Sequence, residues 1–265
     1  MPQISKRDLI LDSIIKAYLE ENLPIGSMEL GIRMEEMIPA STIRVYFKKL
    51  SQEGALTQLH VSGGRVPTKS AMQEYWREKI DVNKTIFLND EIKKIVNEYN
   101  IYCLVNRVKD LRLEEIINVE NRFLLLLLGE EFLVLKYQEP VFRFLTSLIG
   151  ASLKELESIC KQVGLFELSD KASRISSVDI LLKEGEMSIY EVTKESNNNK
   201  NFTLFLNPNF PASLSDGLYF EDLLPEGYMA LKQKASFKGE EAELFCLGDL
   251  YVDYEQFLNE IKESS

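Results

Sequence analysis

The stretch Gln58-Leu-His-Val-Ser-Gly-Gly-Arg-Val-Pro-Thr68 gathers residue types that could do chemistry. It holds the chain's one histidine, His60, with Ser62, the pair Gly63–Gly64, the cation Arg65, and Thr68 before Lys69. Three chemistries compete for it. A catalytic imidazole needs a nucleophile or carboxylate within hydrogen-bond reach, which spacing alone does not supply. A phosphate-cradling nucleotide loop needs the pattern G-x-x-x-x-G-K-[ST], which is absent. A hairpin tip fits better. Its glycines permit positive φ and close backbone approach, and Arg65 beside them can reach a phosphate or a narrow minor groove. A lone histidine on a short strand usually packs or caps, so His60 is expected to brace the hairpin, with a phosphate contact as its second role.

The elements that would position these residues lie just upstream. Ser5, with Asp8 three residues on, reads as a helix start, and Leu11, Ile14, Ile15, Tyr18 and Leu19 recur at helical spacing through Glu21. Ser27 can cap a short second helix to about Met34. Pro39-Ala-Ser-Thr42 opens a third, with Ile43, Phe47 and Leu50 as its inward stripe and Gly54 as its stop. The outward positions are Ser41, Thr42, Arg44, Val45, Lys48, Lys49 and Gln52. After Gly54 the period falls to two, and Pro67 suits an edge strand. Three helices, the last polar outside, then a glycine-tipped hairpin, describe a winged helix-turn-helix. In that fold Ser41, Thr42 and Arg44 face base edges, while Lys48, Lys49, Lys69 and Arg65 anchor phosphates.

Charge placement agrees. The 265 residues carry 31 Lys and Arg against 42 Asp and Glu, a net −11. Residues 1–80 nevertheless hold eleven basic and ten acidic side chains, and 41–70 hold five basic against Glu53 alone. A compact positive island on an acidic body is the footprint of an anion-binding face. The length allows two modest domains. Charges between Ile4 and Glu21 exclude a signal peptide, and the run Phe123–Leu128 is too short to cross a bilayer, so a cytoplasmic protein is expected. The cysteines Cys103, Cys160 and Cys246 are scattered and odd in number, which indicates neither a disulfide framework nor a metal site.

The segment ASTIRVYFKKLSQEGALTQLHVSGGRVPT (40–68) resembles the signature of the bacterial heat-inducible transcription repressor HrcA family. Matching positions are Thr42-Ile43-Arg44, then Leu50, Gly54 and Leu56, then His60, Ser62, Gly64, Arg65, Pro67 and Thr68. Leu23–Leu30 is similar to the family's segment before helix two. Val45 departs, standing where an asparagine is usual, and Ser41 stands where an alanine is usual. Fainter matches follow at Ile101–Lys136 and at Gly248, Asp253 and Tyr254. The resemblance implies a homodimeric repressor of chaperone operons that binds an inverted-repeat duplex DNA operator, is released on heat stress, and has a chaperonin as partner. It also implies a GAF-like sensor and dimerisation domain.

The expected fold is therefore α+β. Residues 1–80 form the winged helix-turn-helix and 81–100 a connecting helix that loosens at Asp81–Asn83. Residues 101–265 form the GAF-like domain, with a shortened dimerising insertion at about 170–245. Leu124–Leu128 reads as a doubly covered strand, and 141–164 as amphipathic helix broken at Gly150–Ser152. MSIYEV and NFTLFL flank Ser196–Lys200 as a long hairpin. Acidic pairs such as Glu130–Glu131 and Glu240–Glu241 sit in turn-like contexts and read as solvated, so no enzyme, cofactor or metal is expected. A metabolite-responsive winged-helix regulator is the alternative.

Overall fold

In the computed structural model, residues 5–58, 63–175, 178–195 and 202–262 are described. The Ser5 hydroxyl accepts from the Asp8 N–H at 3.2 Å and donates to its carboxylate at 2.6 Å, so α1 (Lys6–Glu21) starts on the expected cap. In α2 (Ser27–Arg33) the cap position is Gly26, one residue before the serine expected there. The Glu29 carboxylate accepts from the Gly26 N–H at 3.3 Å instead. α3 (Ala40–Gln52) turns Ile43, Phe47 and Leu50 inward onto Ile10, Ile14, Leu30 and Leu56. A short antiparallel ladder of β1 (Leu56–Thr57) with β2 (Val66–Pro67) follows.

Thr68 caps α4 (Lys69–Lys79). Where the periodicity suggests that the helix resumes after Asn83, a strand, β3 (Ile86–Leu88), comes before α5 (Ile92–Glu98). Its three residues alternate buried, exposed, buried, a period of two hidden inside a short apolar run. β4 (Tyr102–Val108) then leads out of one compact unit into another. The first unit comprises 1–105, 182–207 and 214–265; the second comprises 106–181 and 208–213. The stretch from about 170 to 245, expected to hold an insertion, is thus shared between the two.

The second unit is built on an antiparallel sheet, β5 (Glu115–Val119), β6 (Phe123–Leu128) and β7 (Glu131–Lys136), with β6 central. α6 (Glu139–Thr146), α7 (Leu153–Gln162) and α8 (Phe166–Arg174) follow. Ser152 and Glu155 form a reciprocal capping box at the break expected after Gly150. Leu124, Leu126, Leu128, Leu133 and Leu135 pack on Leu145, Leu156, Cys160 and Leu168. β6 is covered on one face only, which corrects the doubly covered strand. Phe123 and Phe132, with Ile117 and Val134, remain exposed on the other face.

β8 (Val178–Glu184) leads back into the first unit, where α9 (Glu186–Glu195) and α10 (Phe202–Leu206) follow. The expected MSIYEV–NFTLFL hairpin is therefore a pair of helices; Ser196–Lys200 lie outside the described residues. After α11 (Asn209–Ser213) come β9 (Gly217–Tyr219), β10 (Tyr228–Phe237), β11 (Glu240–Asp249) and α12 (Tyr254–Glu260). The sheet order is β3-β10-β11-β4-β8, with β9 also on β10. Gly185 abuts the Ile101 carbonyl, and Arg107 pairs with Asp179 at 3.0 Å, so β4 and β8 run in opposite directions.

The turn between β11 and α12 holds α4 and the β2 strand. The Trp76 indole donates to the Leu250 carbonyl at 2.9 Å inside the core and meets the Tyr254 ring edge-on at 5.5 Å. The Tyr251 hydroxyl donates to the Pro67 carbonyl at 3.1 Å, and its ring meets Tyr18 of α1 at 5.3 Å. Gly248 leaves room for the Tyr254 hydroxyl, and Asp253 caps α12 by accepting from the Gln256 N–H at 2.9 Å. The three faintly matching residues Gly248, Asp253 and Tyr254 are thus parts of one buried corner.

Burial, then the neighbouring Tyr18 and Asp249, push the Tyr251 phenol up to about 12 from its ordinary 10.0. Its neutral form is favoured by folding. This contribution is complete below pH 10 and is lost as pH rises through 10 towards 12, where the unfolded chain loses its proton first. Tyr251→Phe should make chemical-denaturation stability fall less steeply over that range, by up to about 1.4 kcal/mol per pH unit. At neutral pH the variant should lose about 1 kcal/mol for the missing hydrogen bond. An unchanged alkaline slope would show that Tyr251 is not engaged.

Candidate nucleic-acid interface

Burial of Ile43, Phe47 and Leu50 dictates what α3 shows to solvent. Ser41, Arg44, Lys48 and Lys49 are exposed, Thr42 partly so, and Val45 is 67% exposed. A branched apolar side chain so open has nothing of its own protein to pack on.

The second half of the site is anchored by backbone. The Arg65 N–H donates to the Ile25 carbonyl at 2.8 Å, and the Ile25 N–H donates back at 3.0 Å. That pairing brings the chain so close that a Cβ at Gly64 would fall 2.5 Å from the Ile25 carbonyl carbon. Close approach is therefore what Gly64 supplies, and its φ is not in the left-handed region expected for it. The Gln58 side-chain amide also donates to the Gly63 carbonyl, at 3.2 Å. His60 and Ser62 lie outside the described residues.

These constraints bring Arg44 of α3 together with Gly63, Gly64 and Arg65. They line one cleft of about 370 Å³, with Ser27 and Met28 of α2 on its far side. The Arg65 Nε is buried and has no hydrogen-bond partner among the described residues. A buried donor of this kind is unfavourable until it is paired. Ile25, Ser27 and Met28 were not legible as parts of this site, because a backbone bridge leaves no residue-type signal.

Two expected members serve elsewhere. The Thr68 hydroxyl donates to the Gly54 carbonyl at 2.7 Å while capping α4, which occupies its polar capacity. The Lys69 ammonium pairs with Glu226 at 3.0 Å.

Several other cations of the N-terminal region are also matched. Arg7 pairs with Asp8 and Glu53, Lys16 and Lys79 both with Asp12, and Arg33 with Glu20, Glu21 and Glu29. Burial opposes ionisation of Asp12, but Lys79 and Lys16 outweigh it and hold the carboxyl below its ordinary range. Arg44, Lys48, Lys49 and Arg65 have no acidic partner among the described residues. The positive island of the sequence thus resolves into four uncompensated cations on α3 and the approach to β2.

Residues 76–265 match the family model described as the HrcA C-terminal domain. Over 98% of this chain and 96% of the relative, identity is 30% with the heat-inducible transcription repressor HrcA of Helicobacter pylori strain ATCC 700392 / 26695. The chain belongs to the HrcA family. The repressor HrcA of Helicobacter pylori strain J99 is 28% identical over the same shares of both chains. The crystal structure of a hypothetical protein aligns over 98% of this chain and 96% of its own, at 19% identity and a TM-score of 0.47.

For this HrcA-family chain, Gly64→Ala should lower the unfolding free energy by about 1–3 kcal/mol through forced backbone displacement. Gly26→Ala, whose added carbon would have 4.0 Å of clearance, should lose less than half as much. Urea denaturation of the two variants side by side checks this, and equal losses would refute the close-approach account.

Proposed function

We propose that this chain is a heat-inducible transcription repressor, the activity named for its Helicobacter pylori relatives. In this reading residues 1–80 act as a winged helix-turn-helix. α3 enters the major groove with Ser41, Thr42 and Arg44 towards base edges, while Lys48 and Lys49 follow the backbone. Val45 offers an apolar surface suited to a thymine methyl rather than a hydrogen-bonding edge. The wing that carries Gly63 and Arg65 would reach the adjoining backbone. The observation that carries the reading is the cleft lined by both Arg44 and Arg65, two cations without an acidic partner among the described residues and the right chemistry to grip one phosphate from two elements.

The operator would be an inverted repeat, bound by a homodimer whose symmetry it mirrors. The exposed apolar face of the β5-β6-β7 sheet supports self-association, since Ile117, Val119, Phe123, Phe132 and Val134 line up on it. The body of the chain, GAF-like in family resemblance, would report heat by losing its fold or its dimer contacts, with a chaperonin as partner in the cytoplasm.

Fluorescence anisotropy with an inverted-repeat duplex from a chaperone operon, against a scrambled duplex over a salt series, tests the assignment. Specific binding should weaken on warming. Arg44→Ala and Arg65→Ala should each weaken it and reduce the salt slope by about one unit. Equal weak binding to both duplexes by folded protein would reject the operator reading. Separately, Phe132→Asp should turn a dimer into a monomer in sedimentation velocity, whereas an unchanged dimer would move the interface off this sheet.

A further inference from the structure

Strand pairing on one edge of β10 is interrupted. β9 pairs with Ala230–Lys232 and β3 with Ala235–Phe237, so neither strand reaches Gln233 or Lys234. A cleft of about 320 Å³ lies beside this gap, within the size range of small-molecule sites. Thr85 and Ile86 form one wall, and Glu255 and Leu258 of α12 form another. Asn89 ties these walls together, its side-chain N–H groups donating to the Glu260 and Lys262 carbonyls at 2.7 and 3.1 Å.

Gln233 lines this cleft at 4% exposure, and its carboxamide has no hydrogen-bond partner among the described residues. Its amide keeps access to the cleft and is free to bond an occupant there. Its neighbours on the same strand face, Leu231 and Ala235, are apolar and buried, so an apolar residue would serve packing better here. The glutamine therefore points to an occupant that hydrogen-bonds it.

The charges at the rim narrow the occupant's class. Lys79 is matched by Asp12 and Lys84 by Asp81, at 2.7 and 3.3 Å. Among the described residues Glu255 has no ion-pair partner, and the Lys262 ammonium meets only the Asn259 side-chain oxygen, at 3.3 Å. A simple anion would leave Glu255 unused, and a simple cation would leave Lys262 unused. An apolar ligand would answer neither charge, nor Gln233.

We propose that this cleft binds a free α-amino acid. Glu255 takes the ammonium group, Lys262 the carboxylate, Gln233 a polar group at the cleft floor, and Ile86 and Leu258 the aliphatic part. The inference stands independently of operator binding.

The test is a thermal-shift assay on the full chain with each of the proteinogenic amino acids, using acetate and ammonium chloride at matched ionic strength as controls. At least one amino acid should raise the melting temperature by about 5 °C at a hundredfold excess over its Kd. Gln233→Met, close in shape but apolar, should melt no lower than the parent without ligand and lose the shift. Glu255→Gln, a surface change, should weaken binding at least tenfold by calorimetry. No shift beyond the two salts, or a shift that survives in both variants, would overturn the proposal.

Discussion

The indole hydrogen bond between Trp76 and the Leu250 carbonyl is the constraint on which the rest of the first unit depends. A buried carbonyl without its donor is unfavourable by about 1–3 kcal/mol, and the indole itself is wholly buried. The nearby ion pair of Lys69 and Glu226 is largely solvated, and exposed pairs contribute about 0–1 kcal/mol. Aromatic burial, not surface charge, therefore fixes α4 against the corner between β11 and α12. Tyr251, next along the chain from Leu250, holds Pro67 in β2, and Pro67 lies two residues from Arg65. The position of Arg65 is thus set by residues from the far end of the sequence.

Electrostatics follow from the same frame. The chain is strongly acidic, and near the N-terminus its acids pair with Arg7, Lys16, Arg33 and Lys79. α3 and the approach to β2 keep four cations without an acidic partner among the described residues, which concentrates positive charge there while the acidic remainder repels a polyanion.

Local chemistry was legible in the sequence and long-range chemistry was not. The Ser5 and Ser152 caps, the stripe Ile43–Phe47–Leu50 and the helix at Tyr254 depend on neighbours within a turn or two, so spacing reveals them. The strand at Ile86–Leu88 and the helices around the asparagine run were misread or missed, because short apolar runs carry both periods. β6 was expected to be covered twice because its sequence is uniformly apolar, whereas its surroundings bury alternate residues only. In the site, Arg44 and Arg65 could be named from type and motif. Their convergence could not, since it rests on the Ile25 backbone. Nor could the diversion of Lys69 to Glu226, a partner more than half the chain away.

The opposed directions of β4 and β8 have a topological consequence. The chain leaves the sheet along one strand and returns along its neighbour, so everything from 106 to 181 hangs on two adjacent points of attachment. Such a segment can lengthen, shrink or be exchanged while β10, β11 and the corner gripping α4 keep their register. The repressor frame behaves as a fixed chassis carrying an interchangeable cartridge.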